Sequence, residues 1–306
     1  MDNNTNLNIN EDSIISDENI KAAKRTASGE RVFFNIKKTI LYICITLLAV
    51  ICLVPFLLTI VNSTRTGNEI MTSFTLIPGS ALKENWEMLF SKVNLFVGMK
   101  NSLIVAVPST VLSAYFSAIT AYALAVYRFK ANKPVFIITV VFMMIPGQLS
   151  LIGFFQLVKE LGLMDTYWPF ILPAIAAPGA VFFLRQYVLS ILPRTLLEAA
   201  RIDGGSELHI FHRIVLPLMG PGIATMAIGG FIGSWNNYLM PLILLRTPSK
   251  FTLPLLMTTL NDSTDIAANQ GAIYLGVAVS VVPIIIVFCF CSKYIIGSIT
   301  AGGVKE

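Results

Sequence analysis

Residues Thr39–Val61 form an apolar run with no charged side chain. A helix needs about 20 such residues to cross the hydrocarbon of a bilayer. Five further stretches have similar length and character: Asn101–Tyr127, Pro134–Val158, Tyr167–Leu184, Gly222–Leu245 and Gly271–Ser292. Backbone polar groups cannot stay unpaired in lipid, so runs of this kind must be helices. The expected fold class is therefore an all-α membrane protein with six transmembrane helices. Charged residues make up 13% of the 306-residue chain. Soluble domains carry about 25%, so water is the wrong solvent for most of this surface.

The expected organisation follows from the runs. Residues 1–38 are a polar cytoplasmic tail, 39–61 the first span and signal anchor, 62–100 an external loop, and 101–300 a five-helix core. A polar, basic loop at 185–217 interrupts that core. The net charge is +5, but the basic residues flank apolar runs, where they orient the chain better than they would bind nucleic acid. With the N-terminus inside, seven of the 22 lysines and arginines fall outside: Arg65, Lys83, Lys92, Lys100, Lys159, Arg246 and Lys250. The other fifteen face the cytoplasm. Positive residues concentrate inside, which predicts both termini and the 185–217 loop on the cytoplasmic side. The second external segment, 246–270, is punctuated by Pro248, Pro254, Asn261, Asp262 and Asp265.

The cytoplasmic loop carries the most information. Pro193-Arg194-Thr195 precedes Leu196 to Asp203, followed by Gly204-Gly205. Thr195 and Glu198 have the spacing of a capping box. Gly204 suits the left-handed residue that ends a helix. Ser206 is placed to cap a second short helix reaching Ile214, with Pro217 and Pro221 turning the chain back toward the membrane. An eight-residue helix is too short to stand alone in water, and small Ala199 and Ala200 permit close approach by a partner. The spacing by itself leaves two readings open: a docking surface, or a plain cytoplasmic linker.

The pattern Glu198-Ala199-Ala200-x3-Gly204-x9-Ile214-x-Leu216-Pro217 resembles the cytoplasmic signature of permease subunits in binding-protein-dependent ABC importers. Asn101-Ser102-Leu103-Ile104-Val105-Ala106, Ala121-Tyr122-Ala123-Leu124-Ala125, Phe231 to Tyr238 and Phe251-Thr252-Leu253-Pro254 are similar to the carbohydrate-uptake branch. The general likeness is to the MalG-like membrane subunit of maltose-type systems. One departure is Gly205, where many relatives have Ala; the extra backbone freedom is expected to loosen the junction. The resemblance implies a type I ABC importer permease fold. It also implies a second homologous permease subunit, an ABC ATPase dimer beneath, and an extracellular or periplasmic solute-binding protein. Glu198, Ala199, Ala200, Arg201, Asp203 and Gly204, with Ile214, Leu216 and Pro217, would couple the pore to the ATPase. Membrane lipid surrounds such a subunit.

No Gly-Lys dipeptide occurs, so the chain has no phosphate-cradling loop of the Walker type. No cofactor is expected in this chain; ATP and Mg belong to the ATPase, and no enzymatic constellation is visible. Gly220-Pro221-Gly222 reads as a bend at the membrane entrance. His209 and His212, spaced i, i+3, read as a solvated or partner-facing surface, not a metal site. Cys44, Cys52, Cys289 and Cys291 all fall within apolar runs and read as small apolar side chains.

Polar residues inside spans either line a cavity or bond helix to helix. Gln148 and Asn236 each lie 14 residues into a span, about 21 Å at 1.5 Å per residue. With Ser150, Ser234 and Asn237 they can ring an aqueous passage, and Trp235 and Tyr238 can stack on sugar rings. The alternatives are interhelical hydrogen bonds and interfacial anchoring. Pro146-Gly147 and Pro283 are expected to kink their spans. No Asp, Glu, Lys or Arg sits centrally in a span, which favours an external energy source and an uncharged substrate such as a sugar or oligosaccharide. A membrane scaffold or channel not coupled to ATP, or a permease for a non-sugar solute, stays open as the alternative.

Overall fold

The structure is a computed structural model that describes residues 36–261 and 266–302. The polar tail before residue 36, Asp262, Asp265 and the last four residues lie outside the described residues. The chain divides into two units, one ending at Leu58 and the other beginning at Thr59. All described regular structure is helical.

Among the described residues, four helices are long and apolar enough to cross a membrane: α1 (Ile36–Asn62), α4 (Leu95–Val126), a broken helical run Trp168–Ile191, and Asn269–Tyr294 within the last helix. Two bent pairs raise the number to as many as six when each pair is taken as one span. The side chains of α1 from Ile40 to Leu57 are largely exposed, the condition of a helix whose solvent is lipid.

Between α1 and α4 lie α2 (Gly67–Thr72) and α3 (Leu82–Lys92). Thr66 caps α2 with a capping box in which the Glu69 side chain returns the bond. Arg65 is buried and organises this segment. It donates to Asn62 Oδ1 at 3.2 Å, to the Glu69 carbonyl at 2.7 Å and to Ser73 Oγ at 2.6 Å. Asn85 of α3 donates to the carbonyls of Ser63 and Arg65. Gly271 of the last helix presses on this knot: a Cβ there would stand 2.4 Å from the Arg65 carbonyl oxygen. Only glycine permits the approach.

The run expected at Pro134–Val158 is not one straight helix. It is α5 (Asn132–Met143), a short 3-10 turn at Gly147–Ser150 and α6 (Leu151–Glu160), bent by 92°. Pro146 has no N–H to continue the ladder, so the chain breaks there. The span beginning at Trp168 comprises α7 (Trp168–Ile171), a 3-10 turn Leu172–Ile175 and α8 (Pro178–Ile191). It runs seven residues beyond the expected end at Leu184. Farther on come α9 (Arg194–Ile202) and α10 (Glu207–Ile210), the latter continued through a π-turn (Phe211–Val215) into α11 (Leu216–Leu218). After a 74° bend follows α12 (Gly220–Trp235). The expected run Gly222–Leu245 also breaks, at Asn236–Tyr238, before α13 (Leu239–Leu244). Helices α14 (Leu253–Asn261) and α15 (Ile266–Gly302) complete the order. Pro283 sits inside the unbroken α15, so the expected kink does not interrupt that helix.

Helix α4 is the axis of the second unit, packing on α8 and on α12, while α15 packs on α12 and α3. Two buried clusters result. One gathers Leu89, Leu95, Ala106, Phe231, Trp235, Leu253 and Leu275. The other gathers Ala118, Tyr122, Leu184 and Val188 with Leu197, Ile210, Phe211 and Val215 of the polar loop.

Candidate functional site

The loop after α8 is a two-helix element clamped to the bundle. Helix α9 begins at Arg194 with Pro193 as its N-cap residue and no side-chain cap bond. The capping box expected from Thr195 and Glu198 is therefore absent. Thr195 falls one position inside the helix, because Pro193 already supplies the extended residue before the first turn. Glu198, Ala199 and Arg201 are exposed, and Ala200 is half-buried.

The end of α9 is a Schellman motif. The N–H of Gly205 donates to the Ala200 carbonyl and that of Gly204 to the Arg201 carbonyl, both at 3.0 Å. Gly204 adopts φ +80°, a region that L side chains avoid. Asp203 occupies the position before it and is exposed. The fixed spacing from the Glu-Ala-Ala triplet to Gly204 is thus the length of the helix plus its cap. Gly205 corrects the expectation of a loose junction. A Cβ there would lie 2.9 Å from the Ala200 carbonyl oxygen and 3.2 Å from Ile210 Cγ1, so glycine lets the two helices close tightly.

Ser206 caps α10, accepting from the His209 N–H. The helical path extends past the expected end at Ile214 and carries Leu216 and Pro217 within it, so the reversal comes at Met219 and not at Pro217. Ile214 and Leu216 are half-buried against the bundle, and Pro217 is exposed.

What holds the element down is apolar. Leu197 is 3% exposed, and Ile210, Phe211 and Val215 are each 1% exposed. What it offers outward is also partly apolar: Ile202 is 85% exposed and Leu208 63%. A polar clasp joins both helices to the end of α4. Arg201 Nε donates to Glu207 Oε1 at 2.8 Å, and the Tyr127 hydroxyl donates to Glu207 Oε2. Donation by Arg201 and then Tyr127 holds the Glu207 carboxyl below the usual range. Burial and the adjacent carboxylate push the Tyr127 hydroxyl up. His212 is exposed, as expected of a solvated or partner-facing surface, and it also bonds within the chain. Its Nδ1 donates to the Leu208 carbonyl at 2.7 Å and its Nε2 accepts from the Tyr115 hydroxyl of α4 at 3.1 Å. Leu197, Glu207 and Tyr127 escaped the sequence reading. Leu197 was readable as the apolar residue on the inner face of an amphipathic turn, but Tyr127 is 80 residues from its partner.

The polar residues proposed for a passage separate into two groups. Gln148 and Ser150 lie on the 3-10 turn beyond the 92° bend and are exposed, so a straight-helix depth does not apply to Gln148. Ser234 is half-buried, Asn236 is exposed just after α12, Asn237 accepts from the Met240 N–H, and Tyr238 is 37% exposed. No hydrogen bond or ring contact joins the two groups among the described residues. Trp235 is a correction. It is 2% exposed, stacks on Phe231 at 5.7 Å and donates Nε1–H to the Ser280 carbonyl at 3.2 Å. The ring is buried and its polar edge is bonded within the core, leaving no exposed platform for a sugar.

Two sequence stretches far apart meet on α4. Asn101 donates to the carbonyls of Ser249 and Phe251, each at 2.9 Å, and Ser102 Oγ accepts from the Leu253 N–H. A second staple, not foreseen, is Asp165 at φ +56°. Its Oδ1 accepts from the N–H groups of Arg246 and Thr247, and its Oδ2 from Lys250 Nζ at 2.9 Å. These bonds hold its carboxyl well below the usual range, the Arg246 N–H contributing most.

The sequence profile of the binding-protein-dependent transport system inner membrane components matches residues 93–299, from the start of α4 into α15. The chain belongs to that family. It is 42% identical to the arabinooligosaccharides transport system permease protein AraQ of Halalkalibacterium halodurans, over 84% of this chain and 93% of the relative. The AraQ protein of Bacillus subtilis is 36% identical over 89% of this chain and 97% of its own length. In fold, the structure matches a chain of a bacterial ABC transporter involved in the import of the acidic polysaccharide alginate. The TM-score is 0.72 at 23% identity, covering 85% of this chain and 96% of the other. The expected all-α permease fold is thereby established.

Proposed function

We propose that this chain is one of two membrane subunits of an ATP-driven importer that takes a neutral oligosaccharide from an external solute-binding protein. The relatives named for arabinooligosaccharides support the substrate class. The family name itself supports delivery by a binding protein. The loop 185–217 and both termini face the cytoplasm in this reading, in line with the distribution of lysine and arginine.

The observation that carries the coupling role is the two-faced character of the α9–α10 element. Its inner face is locked to α4 and α8 through Leu197, Ile210, Phe211 and Val215. Its outer face presents Ile202 and Leu208 beside exposed Glu198, Ala199 and Arg201. An exposed apolar pair rimmed by charge is the composition of a docking patch. A partner ATPase, holding ATP and Mg, seats this patch; closure of its dimer moves the element, and α4 and α8 carry the movement into the spans. Such transmission requires the nucleotide-bound and free ATPase to engage the patch differently.

Within the spans, Gln148, Ser150, Ser234, Asn236, Asn237 and Tyr238 are the candidates to meet the solute, and Trp235 serves as their support. The test uses the reconstituted assembly with its ATPase and binding protein. Glu198→Lys or Ile202→Asp is expected to lower arabinooligosaccharide uptake and binding-protein-stimulated ATP hydrolysis together by at least about tenfold. Unchanged uptake in both variants contradicts the coupling role.

A further inference from the structure

A cleft of about 650 Å³ lies at the junction of α4, α5, α8 and α9, and nothing in the transport reading uses it. Five cations line it: Arg128, Lys130, Lys133, Arg185 and Arg194. An adjoining cleft shares Arg128 and Arg194 and has Glu198 as its one acidic side chain. None of the five cations has a carboxylate partner among the described residues, where the ion pairs are Lys83–Glu87, Arg201–Glu207 and Lys250–Asp165. The preference for positive charge on cytoplasmic loops accounts for having such residues. It does not account for their convergence on one recess, where they repel one another.

Arg185 is fixed in place for a ligand. Its guanidinium lies 4.0 Å above the Phe136 ring, and its Nε donates to the Leu124 carbonyl at 3.4 Å. Its Nη groups have no acceptor among the described residues, and they form the planar fork that suits phosphate oxygens. Asn132 ties down the rim by donating to the carbonyls of Leu124 and Tyr127. The rest of the wall includes apolar Val126, Phe129 and Leu189, the last two 45% and 50% exposed. Cations beside exposed apolar side chains at the ends of membrane helices suit a phosphodiester with a greasy body better than free phosphate.

We propose that this cleft binds the headgroup phosphate of an acidic phospholipid and that the lipid braces the start of α9 through Arg194. Basic pockets between membrane helices on the cytoplasmic side take such headgroups. The inference rests on the membrane-permease reading and not on the substrate or the coupling role. The test reconstitutes the full assembly in bilayers of phosphatidylglycerol and phosphatidylcholine, extracts it in mild detergent, and counts retained lipids by native mass spectrometry. The wild-type assembly is expected to retain phosphatidylglycerol in preference to phosphatidylcholine. Arg128→Gln/Lys133→Gln/Arg185→Gln should reduce that preference about tenfold or more, while Lys83→Gln/Lys92→Gln leaves it unchanged. Equal retention of the two lipids by wild type overturns the proposal, and needs no variant to fold. So does a triple variant that keeps the preference. Protection by glycerol phosphate alone, equal to that by the lipid, would reassign the cleft to a free anion. Loss of the ATPase with lipid retention intact would reassign it to a protein contact. Failure on lipid retention leaves the transport reading standing, since that reading is tested by uptake.

Discussion

At the scale of single residues, Gly204 and Glu207 set the shape of the α9–α10 element. Gly204 was legible in the sequence because only glycine or asparagine ends a helix cheaply in the left-handed region. No atom crowds the space a Cβ would fill, so the cost of substitution is conformational. Gly204→Ala is expected to destabilise the α9–α10 junction by about 1–2 kcal/mol, and Gly204→Asn by less. Hydrogen exchange at the amides of residue 204 and Gly205 in the two variants measures the difference. The Glu207 clasp was not legible, since nothing local marks Tyr127 as its donor. Its pH dependence follows from the lowered carboxyl. The clasp is whole above the ordinary glutamate range and is lost as pH falls through the depressed folded value. Between pH 8 and 6 the junction should therefore show constant protection. Glu207→Gln should loosen it at all pH values, by about 1 kcal/mol or less, since the Arg201 pair is partly solvent-exposed.

At the scale of elements, the sequence reports which segments are apolar but not where they bend. Hydropathy is the same on both sides of Pro146, so the 92° break inside the third run was read as a mere kink. The helix run from Trp168 was underestimated for a related reason. Arg185 and Gln186 looked like the start of a loop, although Arg185 lies over the Phe136 ring and bonds the Leu124 carbonyl from within α8. Trp235 was misplaced because an aromatic ring in an all-apolar helix carries no signal of which face it takes. The anchoring of α9 has a direct test. Leu197→Ala removes a side chain that is 3% exposed, which costs about 2–5 kcal/mol. The expected result is an intact bundle with a detached α9, seen as lost protection of residues 194–202 while α4 and α8 keep theirs. Asp165 gives a second prediction at this scale. Asp165→Asn keeps a residue tolerant of φ +56° and an acceptor, but loses the Lys250 pair. It should loosen residues 246–250, as should acidification far below the usual aspartate range but not a change from pH 7 to 5.

At the scale of the whole molecule, α4 is the common support. Its first turns hold the Ser249–Leu253 segment through Asn101 and Ser102, and its last turns hold the α9–α10 element through Tyr115, Tyr122 and Tyr127. One helix thus spans the distance from the proposed external face to the proposed docking face. Both ends carried recognisable motifs in the sequence. Their mechanical connection did not, because contacts 150 residues apart have no local signature. The account stands on the outward face of α9 meeting an ATPase. The direct measurement is site-specific crosslinking in intact cells, with Cys44, Cys52, Cys289 and Cys291 replaced by alanine and a single cysteine introduced at Ile202 or at Val215, which is 1% exposed. Capture of the ATPase from position 202, responsive to nucleotide, with none from the buried position 215, is the predicted result. No capture from position 202 in cells that still import the sugar would contradict the account.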